Sequence, residues 1–164
     1  MGDAYKALGF VVIAGLYVGI GLLAARGTIC IFRKILSPKS EQVFYAIALI
    51  FVANLYLAFV AYFGATTARQ LEATIVAAFV VISLLGMRFP FALIVGYSLH
   101  GLWDLLHELQ AHGGHSPFEP GQLTSIPLAY GLFCAAFDFA MAVYFYRRRF
   151  EWSDAWKSNA MPGH

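Results

Sequence analysis

Charged residues are scarce in this chain, which has only eleven Lys or Arg and nine Asp or Glu among 164 residues. A soluble domain of this size carries roughly twice that 12% charged fraction. Apolar residues make up 60% of the chain, and the mean hydropathy is +0.70. So little charge and so much apolar surface exclude an ordinary soluble domain and indicate a chain that lies in a lipid bilayer.

Cysteine is also rare, and its two occurrences do not form a motif. Cys30 lies near the end of the first apolar run, and Cys134 lies in the last one. Their predicted depths in a membrane are opposite, which excludes a bridge between them within one chain. Neither belongs to a CxxC pair, so nothing indicates cysteine-based redox chemistry.

The apolar residues form runs long enough to cross a bilayer of about 30 Å. Residues 88–90 alone separate the third run from the fourth, and Pro90 can open a helix but cannot continue one. The runs leave no room for a soluble domain. We therefore predict an all-α, single-domain bundle of five transmembrane helices over residues 1–164, with spans at about 5–25, 43–64, 71–87, 91–107 and 126–146.

The basic residues fall almost entirely on one side of this arrangement. With the N-terminus outside and the C-terminus inside, only Lys6 and Arg69 lie outside, and the other nine face the cytoplasm. No basic flank precedes the first apolar run, so we expect a span there and not a cleaved signal peptide. We expect no nucleic-acid partner. The cytoplasmic set is Arg26, Arg33, Lys34, Lys39, Arg88, Arg147, Arg148, Arg149 and Lys157.

The segment from Leu99 to Glu108 places four ionisable side chains in an otherwise apolar stretch. Such groups are costly in hydrocarbon unless the bundle interior satisfies them. At 100° per residue, three of them share one helix face within about 60°, and Glu108 lies just beside it. The three are His100, Asp104 and His107.

A fifth ionisable residue, Asp138, is predicted at the same depth on the last helix. Counted at 1.5 Å per residue from opposite membrane faces, His100 lies about 15 Å and Asp138 about 16 Å deep in a core of about 30 Å. Helices four and five follow one another in the chain through a single connection, which predicts that they are antiparallel neighbours. Small residues line the same face as Asp138 and permit a close approach: Gly131, Ala135 and Ala142.

Two interpretations of this polar layer remain open. In the first, His100 pairs with Asp138, and Asp104 pairs with His107, so that hydrogen bonds fix the helix register, with Trp103 donating its indole N–H. In the second, imidazoles and carboxylates bind Zn²⁺, Fe²⁺ or copper, which also offsets the charge of buried carboxylates. The predicted ligands of that divalent metal are His100, Asp104, His107 and Asp138.

Further residues would support such a metal. Asn54 on the second helix reaches the same layer, and together with Trp103 it would orient the ligands. His107-Glu108 does not begin an HExxH motif, because the next histidine, His112, follows five residues later. His112 and His115 are either solvated loop residues or an outer ligand or entry route for the metal.

The last third of the chain resembles a known family. The segments His100-Gly-x-Trp-Asp-x-x-His107 and Phe133-Cys-x-x-x-Asp138 are similar to the signature of small bacterial membrane proteins catalogued as a domain of unknown function. That family often carries a second histidine directly after the first of the pair, where this chain has Glu108. The resemblance implies a membrane location and a recurring His/Asp/His/Asp set, but no known activity. We expect a multi-pass protein of the bacterial inner membrane.

From these residues we expect a metal-dependent hydrolase or oxidase that acts on an amphiphilic or lipid small molecule, with Glu108 as the general base. The alternative is a non-catalytic subunit or scaffold of a larger membrane complex, in which the polar layer only packs helices. In either case, Gly15 and Gly19 form a small-xxx-small pair that predicts close helix contact in a homo-oligomer or larger complex.

The predicted topology can be tested by single-cysteine labelling in a background without Cys30 and Cys134. A membrane-impermeant thiol reagent added to intact cells should label Gly113→Cys and leave Ser158→Cys unlabelled until the membrane is opened. The reverse pattern would overturn the orientation, which follows from the side on which the basic residues lie.

Overall fold

The computed structural model describes residues 2–112 and 117–158, with side chains described for residues 8–111 and 117–157. These ranges contain helices joined by short connections and one longer irregular segment, residues 117–129, and no β-strand. The all-α fold is thereby confirmed. The helices follow the order of the five apolar runs: α1 Gly2–Ile35, α2 Pro38–Phe63, α3 Arg69–Gly86, α4 Pro90–His112 and α5 Tyr130–Ser158.

Local sequence signals explain several helix ends. The Ser37 hydroxyl caps α2 by accepting a hydrogen bond from the Ser40 backbone N–H at 3.3 Å, and Pro38 follows as the first helical residue. Gly64 ends α2 with a left-handed φ of 65°, which a glycine adopts without steric cost. Pro90 begins α4, as predicted.

Two helices differ from the predicted spans. Helix α1 continues past Ala25 to Ile35, so that only a short turn separates it from α2. Helix α5 begins at Tyr130 and not at residue 126, because Ala129, directly before it, has a left-handed φ of 57°. Earlier in the same segment, the Thr124 N–H donates to the Glu72 carboxylate at 2.9 Å.

Three helical segments are long and apolar enough to cross a membrane: Leu8–Ile35, Pro38–Phe63 and Arg69–Gly86. The chain is therefore a membrane protein by length and composition. Helices α4 and α5 carry the ionisable residues of the polar layer and, in α5, three consecutive arginines, which lower their hydropathy. A bilayer crossing by α4 and α5 stays a prediction.

Helices α4 and α5 form the antiparallel pair at the centre of the bundle. His100 near the middle of α4 meets Asp138, and Glu108 near the end of α4 meets Gly131 at the start of α5. The glycine is required there, because a Cβ at residue 131 would lie 2.4 Å from the Asp104 carbonyl oxygen. Helix α1 packs against α5, α2 packs against α3, and α3 packs against α4.

A buried polar cluster joins the start of α2 to the end of α5. The fully buried Glu41 carboxylate accepts hydrogen bonds from Arg148 Nε at 3.1 Å, from Trp152 Nε1 at 3.0 Å and from the Tyr144 hydroxyl. Each donor compensates part of the desolvation cost of the carboxylate. This cluster orients the last turns of α5 across the end of the bundle.

The glycines of α1 differ in their surroundings. A Cβ on Gly21 would lie 2.4 Å from the Phe133 carbonyl oxygen, so this glycine sets the approach of α1 to α5. Gly15 and Gly19 meet no described atom within 4 Å of such a Cβ. The Gly15/Gly19 face therefore makes no close contact in the described part of this chain, and its use in an oligomer stays a prediction.

We predict that Gly21→Ala destabilises the protein by about 1–3 kcal/mol, the usual cost of overpacking, because the added methyl group must separate α1 from α5. Gly19→Ala, on the same helix, should be neutral or slightly stabilising, since the methyl group meets open space and alanine favours the helix. Thermal unfolding in detergent compares the two variants. Equal stability of both would contradict the α1–α5 packing.

Candidate metal centre

The structure brings together three of the predicted ligands in the bundle interior. His100 Nδ1 lies 2.7 Å from Asp138 Oδ2 and 3.2 Å from Asp104 Oδ2. One potential ligand atom from each residue lies within 4.8 Å of those of the other two. Neighbouring ligands of a tetrahedral metal with bonds of about 2.0–2.2 Å are about 3.3–3.6 Å apart, so small side-chain shifts would admit an ion.

The metal group, defined as His100, Asp104 and Asp138, is isolated from water. The three residues are 2%, 0% and 3% exposed. Tyr56 on α2 donates its hydroxyl to Asp104 Oδ1, and the Phe79 ring on α3 packs edge-on against the His100 ring at a centroid distance of 5.0 Å. Side chains from α2, α3, α4 and α5 thus surround the group.

Backbone geometry explains why the group can form. Asp138 reaches His100 because Gly101 faces α5, where a Cβ would lie 3.2 Å from the Asp138 Cβ. Together with Gly131, it removes side-chain bulk at two points of the α4–α5 contact. A close helix approach of this kind is typical of small residues in membrane proteins.

The charges in the metal group do not balance by themselves. Among the described residues, His100 is the only basic side chain within ion-pair distance of Asp104 or Asp138. Asp104 Oδ2 and His100 Nε2 are buried and have no hydrogen-bond partner in the described part of the chain. Two buried carboxylates beside one imidazole are neutral with either one divalent cation or two bound protons, and the unsatisfied atoms call for an added ligand.

His107 lies outside the metal group. Its Nδ1 lies 3.0 Å from the Trp103 carbonyl oxygen and its Nε2 lies 2.8 Å from Glu72 Oε1 on α3. A carbonyl only accepts, so Nδ1 carries a proton, and the short contact from Nε2 to a carboxylate needs a second shared proton. Both ring nitrogens are engaged, and this histidine has no free lone pair to bind the metal.

Glu72 is therefore the centre of a second polar cluster, formed by Glu72, Trp103, His107 and Thr124. Its carboxylate accepts hydrogen bonds from Trp103 Nε1 at 3.4 Å and from the Thr124 backbone N–H at 2.9 Å, in addition to its contact with His107. These contacts hold the carboxylate between α3, α4 and the segment that precedes α5. Sequence reasoning missed Glu72, although a glutamate inside the predicted span 71–87 is a signal of its own, and the structure buries it completely.

Trp103 and Asn54, the residues predicted to orient the metal ligands, make other contacts in the structure. Trp103 donates to Glu72 and so belongs to the Glu72 cluster and not to the metal group. Asn54 does not reach the polar layer, since its exposed side chain donates to the Ile50 carbonyl oxygen at 2.7 Å. Tyr56, two residues further along α2, occupies the position next to Asp104 instead.

Glu108 lies one helical turn beyond Asp104, towards the end of α4. It is 4% exposed, and its Oε2 accepts a hydrogen bond from the Gly131 N–H at 3.1 Å. The backbone of His112 ends α4, but its side chain lies outside the described residues, as does all of His115. Any role of these two histidines stays a prediction.

Comparison with known proteins shows the family of this chain. The model described as a family of unknown function (DUF6010) matches residues 16–150, so the chain belongs to that family. The match extends over most of the chain, well beyond the last third that carries the sequence resemblance. No curated protein and no solved structure matches the chain.

We predict that Glu72→Ala destabilises the protein by at least about 3 kcal/mol, at roughly 1–3 kcal/mol for each buried group that loses its hydrogen-bond partner: Trp103 Nε1, His107 Nε2 and the Thr124 N–H. The matched change at an exposed glutamate, Glu119→Ala, should alter stability by no more than about 0.5 kcal/mol. Denaturation in detergent, followed by circular dichroism, measures both. A Glu72→Ala variant as stable as Glu119→Ala would contradict the hydrogen bonds of the Glu72 cluster.

Proposed function

We propose that this member of a family of unknown function binds one divalent metal ion through His100, Asp104 and Asp138 and uses it to hydrolyse or oxidise an amphiphilic substrate. The observation that carries the proposal is the convergence of one imidazole and two carboxylates in a dry interior with no other basic partner among the described side chains. Imidazole nitrogens and carboxylate oxygens are together suitable ligands for zinc, iron or copper.

The charge balance supports a divalent ion in particular. When His100 ligates as a neutral imidazole, two carboxylates and one divalent ion sum to zero, which is the least costly state of a buried site. Three protein ligands also leave a coordination position open, as in catalytic metal sites. His107 is not included in the proposed ligand set, because its two nitrogens contact Glu72 and the Trp103 carbonyl.

We further propose the five-span topology, with the N-terminus outside and the C-terminus inside, in a bacterial inner membrane. In support, Lys39 of α2 and Arg88 of the α3–α4 connection lie 5.0 Å and 5.2 Å from the centroid of the Trp156 ring near the end of α5. Three of the basic segments thus meet at one end of the bundle. That end would face the cytoplasm under the positive-inside rule.

The side chains around the metal group would divide the chemical work. A bound metal would polarise a substrate oxygen or activate water. Tyr56 would hold Asp104 in orientation through its hydroxyl. Glu108, buried on the outer side of Asp104, is the proposed general base, since its carboxylate can accept a proton near the end of α4.

Metal analysis of the protein tests this proposal. After purification without chelators from cells supplied with zinc, iron and copper, the wild type should hold close to one ion per chain. Asp138→Asn and His100→Ala should lose it, because loss of a ligand costs more than the roughly 10–100-fold caused by loss of a supporting residue. The exposed control Asp154→Asn should retain the ion.

The alternative role as a scaffold makes the opposite prediction. Metal-free wild-type protein, with Asp138→Asn less stable by only about 1–2 kcal/mol, would show that the metal group serves helix packing through hydrogen bonds. Size-exclusion chromatography and circular dichroism establish that each variant is folded. Loss of metal from His107→Gln as complete as from His100→Ala would overturn the assigned ligand set.

A further inference from the structure

An apolar groove lies between α3 and α4 on the outer surface of the bundle. Its volume is about 200 Å³, and no polar atom contributes to its exposed lining. Leu99 and Leu102 form one wall of the groove and are 44% and 49% exposed, so the groove opens sideways, away from the bundle interior. The lining residues are Ile75, Ala78, Phe79, Ile82, Leu99, Leu102, Trp103 and Leu106.

A second, more polar cavity of about 450 Å³, which we call the upper cavity, lies further towards the start of α3. The α3 residues of the two cavities recur at intervals of three or four, which places them along one side of the helix. Phe118, which lines the upper cavity, packs against the ring of Trp103, which lines the apolar groove, at a centroid distance of 5.6 Å. The upper cavity is lined by Thr67, Gln70, Leu71, Thr74, Phe118 and Gln122.

The two cavities together, which we call the α3 groove, change from polar to apolar along the helix axis. Neither part is lined by an ionisable side chain. Amide and hydroxyl groups lie at the upper end, where they could contact the ester and hydroxyl oxygens of a lipid. Apolar side chains line the rest of the groove. A pocket with a few polar groups above an apolar slot is complementary to an amphiphile.

From this pattern we infer that the α3 groove binds a membrane lipid, with one acyl chain between α3 and α4 and the glycerol ester region at Gln70, Thr74 and Gln122. The lipid would enter sideways from the bilayer, through the exposed wall formed by Leu99 and Leu102. The binding itself is independent of the metal.

The groove also deepens the proposed function, because it names the substrate class. Phe79 forms part of the groove wall, and the same ring packs against the His100 imidazole. One aromatic ring therefore separates a bound acyl chain from the metal group. A rotation of Phe79 would bring the chain into contact with His100, and this reactive role of the lipid rests on the proposed function.

Photo-crosslinking tests the lipid site. The protein is reconstituted in vesicles of phosphatidylethanolamine and phosphatidylglycerol that contain a trace of phosphatidylethanolamine with a diazirine in one acyl chain. After irradiation, mass spectrometry should find more label on Leu99 and Leu102 than on Val81, which is 57% exposed but outside the groove.

Two neighbouring alanines of α3 provide matched variants. Ala78→Trp fills the groove and should reduce the label on Leu99 about tenfold, equivalent to about 1.4 kcal/mol. Ala77→Trp adds the same ring outside the groove lining and should leave that label unchanged. The inference would be overturned if Leu99 carried no more label than Val81, or if the label on Leu99 survived in Ala78→Trp.

The metal content of the same samples separates this inference from the proposed function. Ala78→Trp should keep its metal and lose the groove label, while Asp138→Asn should lose its metal and keep the label. Metal-free wild-type protein that still carries the groove label would reject the metal proposal and retain the lipid site.

Discussion

The close approach of α4 and α5 is the constraint on which the interior of this protein depends. It occurs where glycines replace side chains, at Gly101 and Gly131, and it puts the Asp138 carboxylate within 2.7 Å of His100 Nδ1. A larger helix separation would leave both groups buried without a partner, at a cost of several kcal/mol. The polar layer and the backbone packing are therefore a single structural feature.

Two buried clusters of ionisable residues lie around this contact, and they differ in their number of carboxylates per imidazole. In the Glu72 cluster, one carboxylate accepts from Trp103 Nε1 and the Thr124 N–H and contacts His107 Nε2, and every polar atom of the His107 ring has a partner. In the metal group, two carboxylates share one imidazole, and atoms of Asp104 and His100 are left unsatisfied. The first arrangement is complete in itself, whereas the second needs an added cation or protons.

The remainder of the bundle holds these clusters in a fixed geometry. Glu41 joins the start of α2 to the end of α5 through three donors, and Gln42 donates to the Gly86 carbonyl oxygen at the end of α3 at 2.7 Å. Helix α2, which supplies Tyr56 to Asp104, is thereby fixed at its far end. The α3 groove lies on the outside of the same framework, one ring away from His100.

Hydropathy and periodicity determined the class and the number of helices, because long apolar runs and helix breakers act locally. Glycines and small residues on the last helix indicated where two helices approach, and the equal depths of His100 and Asp138 indicated which residues meet there. The rise of 1.5 Å per residue gives depth along an axis, but it gives no rotation of one helix against another.

That rotation was decided only by the tertiary structure. Asn54 and Tyr56 lie on nearly opposite sides of α2, and packing turns Tyr56 inwards and Asn54 outwards. His107 shares a helix face with Asp104, yet one turn along the axis brings it to Glu72 of α3, a partner that periodicity on α4 alone does not reveal. The sequence determined which residues carry the chemistry, whereas their division into two clusters came from contacts between helices distant in the chain.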